Sequence, residues 1–328
     1  MIDKRKVGLR LAAYRRELSM TQEQLAEKLG VTPQAVSRWE NGLSIPEIES
    51  LLIFSRLAKV TINDLLEGED IFEKITKEPY LYEDIAYYTG KDEADKDWAE
   101  RIRNQQWILR NYESQKKVHD AKGPSSVSEA IIAHGGLVLE TGVGPGGGFA
   151  IDTLLSNPFT HLILNDLSPT VLQEWNKQLS TCPADGIIYP NIHFAAFSFL
   201  DIPFKDETID VVSDGGGIGN VIGGDKNEVY KEVFRILKKD GLFITGGGYV
   251  TKETLSSLPK EASEIVETKR PDMLDNCYNG LGEAGFTHIE TVVSSGWYTD
   301  DDDSTFADLA RSLGVNIKVT GLIRFCRK

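Results

Sequence analysis

Two stretches of the chain carry residue types that chemistry can use. Residues 137–148 read LVLETGVGPGGG, an apolar strand running into a glycine-rich turn. Glycines there let the main chain approach a ligand with no Cβ in the way. Such a turn suits a nucleoside cofactor, and a nicotinamide dinucleotide with its pyrophosphate at the next helix N-terminus is one candidate. Asp166 ends the following strand, where a carboxylate can accept hydrogen bonds from both ribose hydroxyls. Residues 21–42, TQEQLAEKLGVTPQAVSRWENG, are of another kind: two short helices broken at a glycine, the outline of a helix-turn-helix.

Other reactive types are scattered. Asp214, Asn220, His193 and Tyr249 fall at or near strand tips. Asp214 is the candidate for a polar catalytic group beside a reacting molecule, and His193, inside a strand, reads as structural. The run Asp300 to Asp303 lacks the ligand spacing and glycine of a calcium loop and reads as a solvated turn. Cys182, Cys277 and Cys326 have no metal-ligand spacing. The expectation is a reduced, cytoplasmic protein with neither a metal site nor disulfides.

The elements that must position these residues follow from periodicity. Val7, Leu11 and Tyr14 share a helix face. Thr21 caps a second helix, with Gln24 completing a capping box, and Leu25, Ala26 and Leu29 point inward. Gly30 provides a left-handed stop. Thr32 and Pro33 open a third helix whose inner face holds Val36 and Trp39. Two short helices follow over 46–57 and 61–66.

Residues 67–123 are polar but keep a helical recurrence in Trp98, Ile102, Gln105, Leu109 and Tyr112. They read as one or two amphipathic helices. Tyr80, Tyr82, Tyr87 and Tyr88 read as packing residues. From about residue 125, strands at 137–140, 162–165, 192–196, 209–213, 242–245, 287–293 and 317–325 alternate with helices at 170–179, 226–238, 273–284 and 305–313. That alternation implies a mostly parallel, doubly wound Rossmann-like sheet, with the last two strands as an antiparallel edge. The expected organisation is an all-α helix-turn-helix bundle over 1–68, a helical connector or cap over 69–123, and an α/β domain over 124–328.

Residues 6–66 resemble the Cro/lambda-repressor-like, xenobiotic-response-element type of helix-turn-helix, on the phrase TQEQLAEKLGVTPQAVSRWENG and the trailing PEIESLLIFSRLAKVTINDLL. The resemblance implies a second helix in the major groove of double-stranded DNA. Gln34, Ser37 and Arg38 would meet base edges, with Arg38 suited to guanine and Gln34 to adenine. Gln22 would clamp a phosphate and Asn41 would touch the backbone. Pro33 stands where many relatives carry a polar reader. Such domains bind as dimers on paired half-sites, which implies a homodimer, although no dimerisation segment is evident.

Residues 125–328 resemble the class I S-adenosylmethionine-dependent methyltransferases. Four segments match in order: ETGVGPG, LNDLSP, FLDIPFKDETIDVVSD and EVFRILKKDGLFITGG. The closing GLIRFCRK is similar to their last strand. By that resemblance Glu140, Gly142, Gly144 and Gly146 hold the methionine end of S-adenosylmethionine, Asp166 the ribose, and Leu167 the adenine. Ser198 stands where an acidic residue often faces the adenine amino group, and Phe199 would stack. After the fourth strand, DGGGIGN departs from the polar-Pro-Pro-aromatic motif of enzymes that methylate DNA amines.

Charge divides the chain the same way. The net charge is -14, yet residues 1–68 hold ten basic and nine acidic residues, and the remainder 26 and 41. Only the first part can approach a phosphate backbone easily. No apolar run is long enough to cross a bilayer. The expectation is a DNA-binding protein whose second domain methylates a small molecule. The alternative is a regulator that senses S-adenosylmethionine or a metabolite without turnover.

Overall fold

Capping side chains start four of the five helices that open the chain. Asp3 caps α1 (Lys4–Glu17), and Thr21 and Gln24 form a reciprocal box at α2 (Gln22–Leu29). Thr32 caps α3 (Pro33–Glu40), and Thr61 and Asp64 bond reciprocally at α5 (Ile62–Leu66). Only α4 (Ile48–Ala58) starts without a side-chain cap. Gly30 ends α2 at φ 67°, as the sequence requires. Val7, Leu11, Leu25, Ala26, Leu29, Val36 and Trp39 are all buried in one core. Gly8 brings α1 and α3 into contact, because a Cβ there would stand 2.3 Å from the Trp39 carbonyl oxygen.

The computed structural model describes residues 2–66, 74–77, 79–82, 85–88, 107–181, 189–218, 226–274, 280–293, 296–301 and 305–328. After α5 come β1 (Tyr80–Tyr82), β2 (Ile85–Tyr87), α6 (Trp107–Lys122), α7 (Ser126–His134), β3 (Leu137–Thr141), α8 (Ala150–Ser156), β4 (His161–Asp166) and α9 (Pro169–Asn176). Then follow β5 (Ile192–Ala196), β6 (Ile209–Asp214), α10 (Lys226–Ile236), β7 (Leu237–Tyr249), α11 (Lys252–Ser257) and α12 (Lys260–Lys269). The chain closes with α13 (Gly280–Glu283), β8 (Thr287–Val293), β9 (Trp297–Tyr298), α14 (Thr305–Ser312) and β10 (Lys318–Arg327).

The strands form one sheet in the order β1-β2-β5-β4-β3-β6-β7-β10-β8, with β9 paired to β10. It is parallel from β2 to β7. It is antiparallel where β10 meets β7 and β8. Successive residues of each central strand face opposite cores. Val138, Leu162, Phe194 and Val211 meet α6 to α9, and Leu139, Ile163, Ala195 and Val212 meet α10 and Phe286. This is the doubly wound arrangement expected from continuous apolar strands. Strand order reverses at β3, whose neighbours are β4 and β6, so the switch-point crevice opens above these ends.

Two readings change. Residues 80–82 and 85–87 pair as antiparallel strands, not helix, and β2 extends the sheet beside β5. The strand pair is short, and its apolar residues gain burial by pairing with a core strand, which helical periodicity does not register. Of the helix expected over 273–284, the described residues form a 3-10 turn at Pro271–Met273 and an α-turn at Gly280–Glu283, and residues 275–279 lie outside the described residues. Trp98, Ile102, Gln105, Asn220, Asp302 and Asp303 lie outside the described residues. Tyr87 and Tyr88 do pack, Tyr87 beneath a hydrogen bond from Gln173 and Tyr88 edge-on to Phe197.

The helical bundle is bolted to the sheet by Arg10, which is 5% exposed. Its guanidinium donates to Asn191 Oδ1 at 3.1 Å, to the Pro190 carbonyl at 3.1 Å and to the Leu66 carbonyl at 3.0 Å. Arg16 lies over the Phe159 ring. His193 sits at this joint. Burial, then the nearby charges of His161, Lys6 and Arg10, push its imidazole down to about 3, so it is neutral there. It has a structural place, at the opposite end of the strands from the glycine turn.

Candidate functional sites

The glycine turn is built as a cradle of main chain. Gly142, Gly144, Gly147 and Gly148 all have positive φ, between 49° and 79°, which disfavours any residue with a Cβ. A Cβ on Gly142 would stand 2.7 Å from Gly217 Cα and 2.9 Å from the Phe199 ring. One on Gly148 would stand 1.9 Å from Glu140 Oε1. The turns after β3 and β6 therefore interlock through glycines, at the switch point of the sheet. Above Gly146 there is open space.

Side chains from distant segments hold that shape. Trp175 Nε1 donates to the Gly144 carbonyl at 2.8 Å, and its ring bears on Gly147. Asn165 accepts from Gly142 N and donates to the Ala195 and Phe197 carbonyls. Asn111 and Gln115 of α6 donate to the Pro145 and Gly146 carbonyls, so this helix lies along the turn. The base of α6 is tied by His119 Nδ1 to Asp152 Oδ1 at 2.7 Å. Burial raises Asp152, but hydrogen bonds from Ser125, Ser128 and His119 outweigh it and hold the carboxyl below its ordinary value.

Glu140 does not reach open space. It is fully buried, accepts from Phe149 N at 3.0 Å and bonds Ser213 Oγ. Burial pushes its carboxyl up to about 8, so it is largely protonated at neutral pH. Asp166 is half-buried at the tip of β4. It accepts from Gly144 N and Ser168 N, both at 2.8 Å, which fixes its orientation beside the turn. Leu167 is 41% exposed. Ser198 and Phe199 follow the neighbouring β5, and Phe199 touches Gly142. Glu140, Asp166 and Ser198 thus stand at the same end of three adjacent strands.

Asp214 is buried at the end of β6, where its oxygens accept from Thr245 Oγ1 and Ile218 N, both at 3.1 Å. Burial raises its carboxyl to about 6. It borders a cleft of about 520 Å3 that starts at Gly142 and Gly146 and runs across β7 to Arg270, Trp297 and Phe306. This volume is ordinary for a small-molecule site. The room above the glycine main chain fits the methionine end of S-adenosylmethionine, while Asp166, Leu167, Ser198 and Phe199 lie outside the lining of this cleft. No cluster of three metal-ligating side chains occurs among the described residues. None of the described helices is long and apolar enough to cross a membrane.

On the helical bundle, Gln34 and Arg38 are exposed and Ser37 is half-exposed, on one face of α3. Gln22 donates to Glu40, which also receives a bidentate pair from Arg15 at 2.6 and 2.9 Å. Asn41 Nδ2 donates to the Ser37 carbonyl at 2.8 Å. The polar face is therefore pre-arranged. Sequence reasoning named this face but missed Arg15 and Glu40, which orient it. It also missed Asn111, Asn165, Gln115 and Trp175 around the glycine turn. Their signal is tertiary, since each bonds a carbonyl or amide far away in the chain.

These features define a helix-turn-helix bundle joined to a Rossmann-like α/β domain. Residues 11–65 match the helix-turn-helix family model and residues 141–245 the methyltransferase domain model, so the chain carries both domains. It is 45% identical over 62 residues to the HTH-type transcriptional activator BcrR of Enterococcus faecalis; the match covers 19% of this chain and 30% of that relative. The P22 c2 repressor in complex with a synthetic operator is similar at 33% identity and TM-score 0.19, covering 19% of this chain and 96% of that one. The geranyl diphosphate C-methyltransferase of Streptomyces coelicolor A3(2) is similar at 14% identity and TM-score 0.41, covering 62% and 79%.

Proposed function

We propose that the chain is a DNA-binding regulator whose second domain is an S-adenosylmethionine-dependent methyltransferase acting on a small molecule. The observation that carries this reading is the continuity of one cleft from the glycine turn to an aromatic-walled chamber. When bound, S-adenosylmethionine supplies an electrophilic methyl group on a sulfonium.

The residues of the chain bind and orient. Gly142, Gly144 and Gly146 offer main chain to the methionine end, and Asp166 accepts from the ribose hydroxyls. Leu167 and Phe199 cover the adenine, with Ser198 at its edge. Glu140 shapes the turn from beneath. Asp214 acts on the acceptor side by fixing the Gly215–Gly217 loop through its hydrogen bonds. Alignment and exclusion of water supply most of what a good nucleophile needs.

Gln34, Ser37 and Arg38 read base edges, while Gln22 and Asn41 contact the backbone. Binding to paired half-sites makes the active form a homodimer. Such a protein works in the cytoplasm, with its DNA. Incubation with labelled cofactor and a panel of small nucleophiles should transfer label to one of them. Cofactor binding without transfer to any acceptor would replace this reading with the sensor. The Arg10 joint favours that second reading, because β4 and β5 run from the joint to the cofactor residues. DNA affinity that changes with S-adenosylhomocysteine would support it.

A further inference from the structure

One helix of the bundle shows apolar side chains to solvent. α4 turns Ser50, Leu51, Phe54 and Ser55 inward. Its opposite side carries Ile48 and Leu52, one turn apart and both exposed. Leu43, on the loop that leads into α4, is exposed as well. Its amide donates to the Arg38 carbonyl, which sets it against the last turn of α3. Ile48 at 73% and Leu43 at 63% are the two most exposed large apolar side chains among the described residues. A lone exposed leucine is ordinary. Leu43, Ile48 and Leu52, all close in sequence to the helix that carries Gln34 and Arg38, mark a contact surface. The α/β domain does not cover them, since they are exposed in the whole chain.

The same side of α4 is self-complementary in charge. Glu49 lies in its first turn and Arg56 in its last. Seven positions separate the two, which is about two helical turns, so both fall on the side of Leu52. Both are exposed, and neither side chain has an ion pair or hydrogen bond among the described residues. Leu52 stands midway between them. Two copies of α4 packed antiparallel about a two-fold axis at Leu52 set each Glu49 against the other copy's Arg56, once on either side of the axis. The helix dipoles then run in opposite directions, which is favourable.

We propose that this side of α4 is where a second copy of the chain docks, helix against helix, when two bundles occupy paired half-sites. The inference rests on the DNA-binding reading and names the contact its homodimer uses. A bundle of this length is about 28 Å across, and half-sites lie about 34 Å apart, so side chains bordering α3 can meet between the two copies. Ile48 and Leu52 supply an apolar centre and the two Glu49–Arg56 pairs a polar rim. Edge strand β8 is another exposed apolar run, with Ile289, Val292 and Val293. The bundle, however, sits at the start of β4 and β5. Antiparallel pairing of two β8 edges would turn one sheet end for end and carry the two bundles to opposite ends, away from a shared duplex.

The test uses the full chain and a duplex that the parent selects from random sequence, made with one half-site and with both. Mobility shift reads the advantage, the affinity for the paired form over the single one. The parent should bind the paired form as two copies with an advantage of about tenfold or more. Ile48→Glu should remove that advantage and leave the single half-site within about threefold; an acid in the first turn also favours the helix, so the bundle stays folded. Glu49→Arg and Arg56→Glu should each cut the advantage about fivefold, because symmetry spoils two pairs at once. The double reversal should restore it to within about twofold, which a merely misfolded variant cannot do. One copy per selected duplex, single reversals that keep the full advantage, or a double reversal no better than the singles would overturn the proposal and spare the DNA-binding reading. A parent that selects no duplex would overturn that reading instead, and sedimentation equilibrium of the free chain then decides the contact. A dimer weakened by each reversal and regained by the double sustains it; a monomer at every concentration, or a dimer indifferent to these residues, overturns it.

Discussion

The two sites of this protein are built on opposite plans. The candidate DNA-reading face is a set of side chains on one surface, contributed by residues 22–41. The candidate cofactor cradle is main chain, contributed by the turns after β3 and β6, with its supports spread from Asn111 to Gly217. The first presents groups; the second removes them. A face of side chains tolerates loss of one member, because each contact adds separately. A cradle of interlocked glycines does not, because one added methyl has nowhere to go.

The largest expected effect follows from that contrast. Gly148→Ala places a Cβ against Glu140 at a φ of 54°. It should cost about 3 kcal/mol of stability and abolish binding of S-adenosylhomocysteine. Chemical denaturation and calorimetry would measure the two losses. A variant as stable as the parent would show that the cradle yields, and the contrast between the sites would fall.

Arg10→Met comes next. It strips three hydrogen bonds from a buried joint and leaves Asn191 and two carbonyls without their donor. The cost should be about 2 kcal/mol, and scanning calorimetry should resolve two transitions where the parent has one. A single unchanged transition would mean that the bundle and the sheet are not coupled through this residue.

Arg38→Ala is expected to act only at the first site. DNA affinity should fall by about 1–3 kcal/mol with relaxed base preference, while binding of S-adenosylhomocysteine stays the same. Mobility shift with a selected operator would read the first and calorimetry the second.

The last expected effect is in pH dependence. Glu140 is raised from 4.5 to about 8, and Asp214 from 3.8 to about 6, both chiefly by burial. A carboxyl raised in the folded state gives its full stability below its ordinary value and loses it as pH climbs through the raised one. Stability should therefore drift down from pH 3.8 to about 8. Glu140→Gln should flatten that slope, measured by urea denaturation at a series of pH values. An unchanged slope would mean that Glu140 is already ionised in the folded protein.

The contrast also explains what the sequence disclosed. The bundle was legible almost completely, because caps such as Thr21 and Thr32 and the inward positions Leu25, Val36 and Trp39 are written in local spacing. The strand ends carrying Glu140, Asp166 and Ser198 were legible too, since apolar runs mark parallel strands. The residues that brace the turn were not. Trp175 reads as an ordinary core aromatic until its indole N–H is seen on Gly144. Arg10 reads as a surface arginine until the sheet covers it. The strand pair β1–β2 escaped because three-residue strands carry too little periodicity to compete with a helical pattern.

The most direct measurement is calorimetric titration of the full chain with S-adenosylmethionine and S-adenosylhomocysteine, beside an Asp166→Ala variant. The account predicts micromolar binding of both by the parent and a loss of roughly a hundredfold in the variant, as expected when a charged acceptor of two hydroxyls is removed. Absence of binding by the parent, or full binding by the variant, would contradict it.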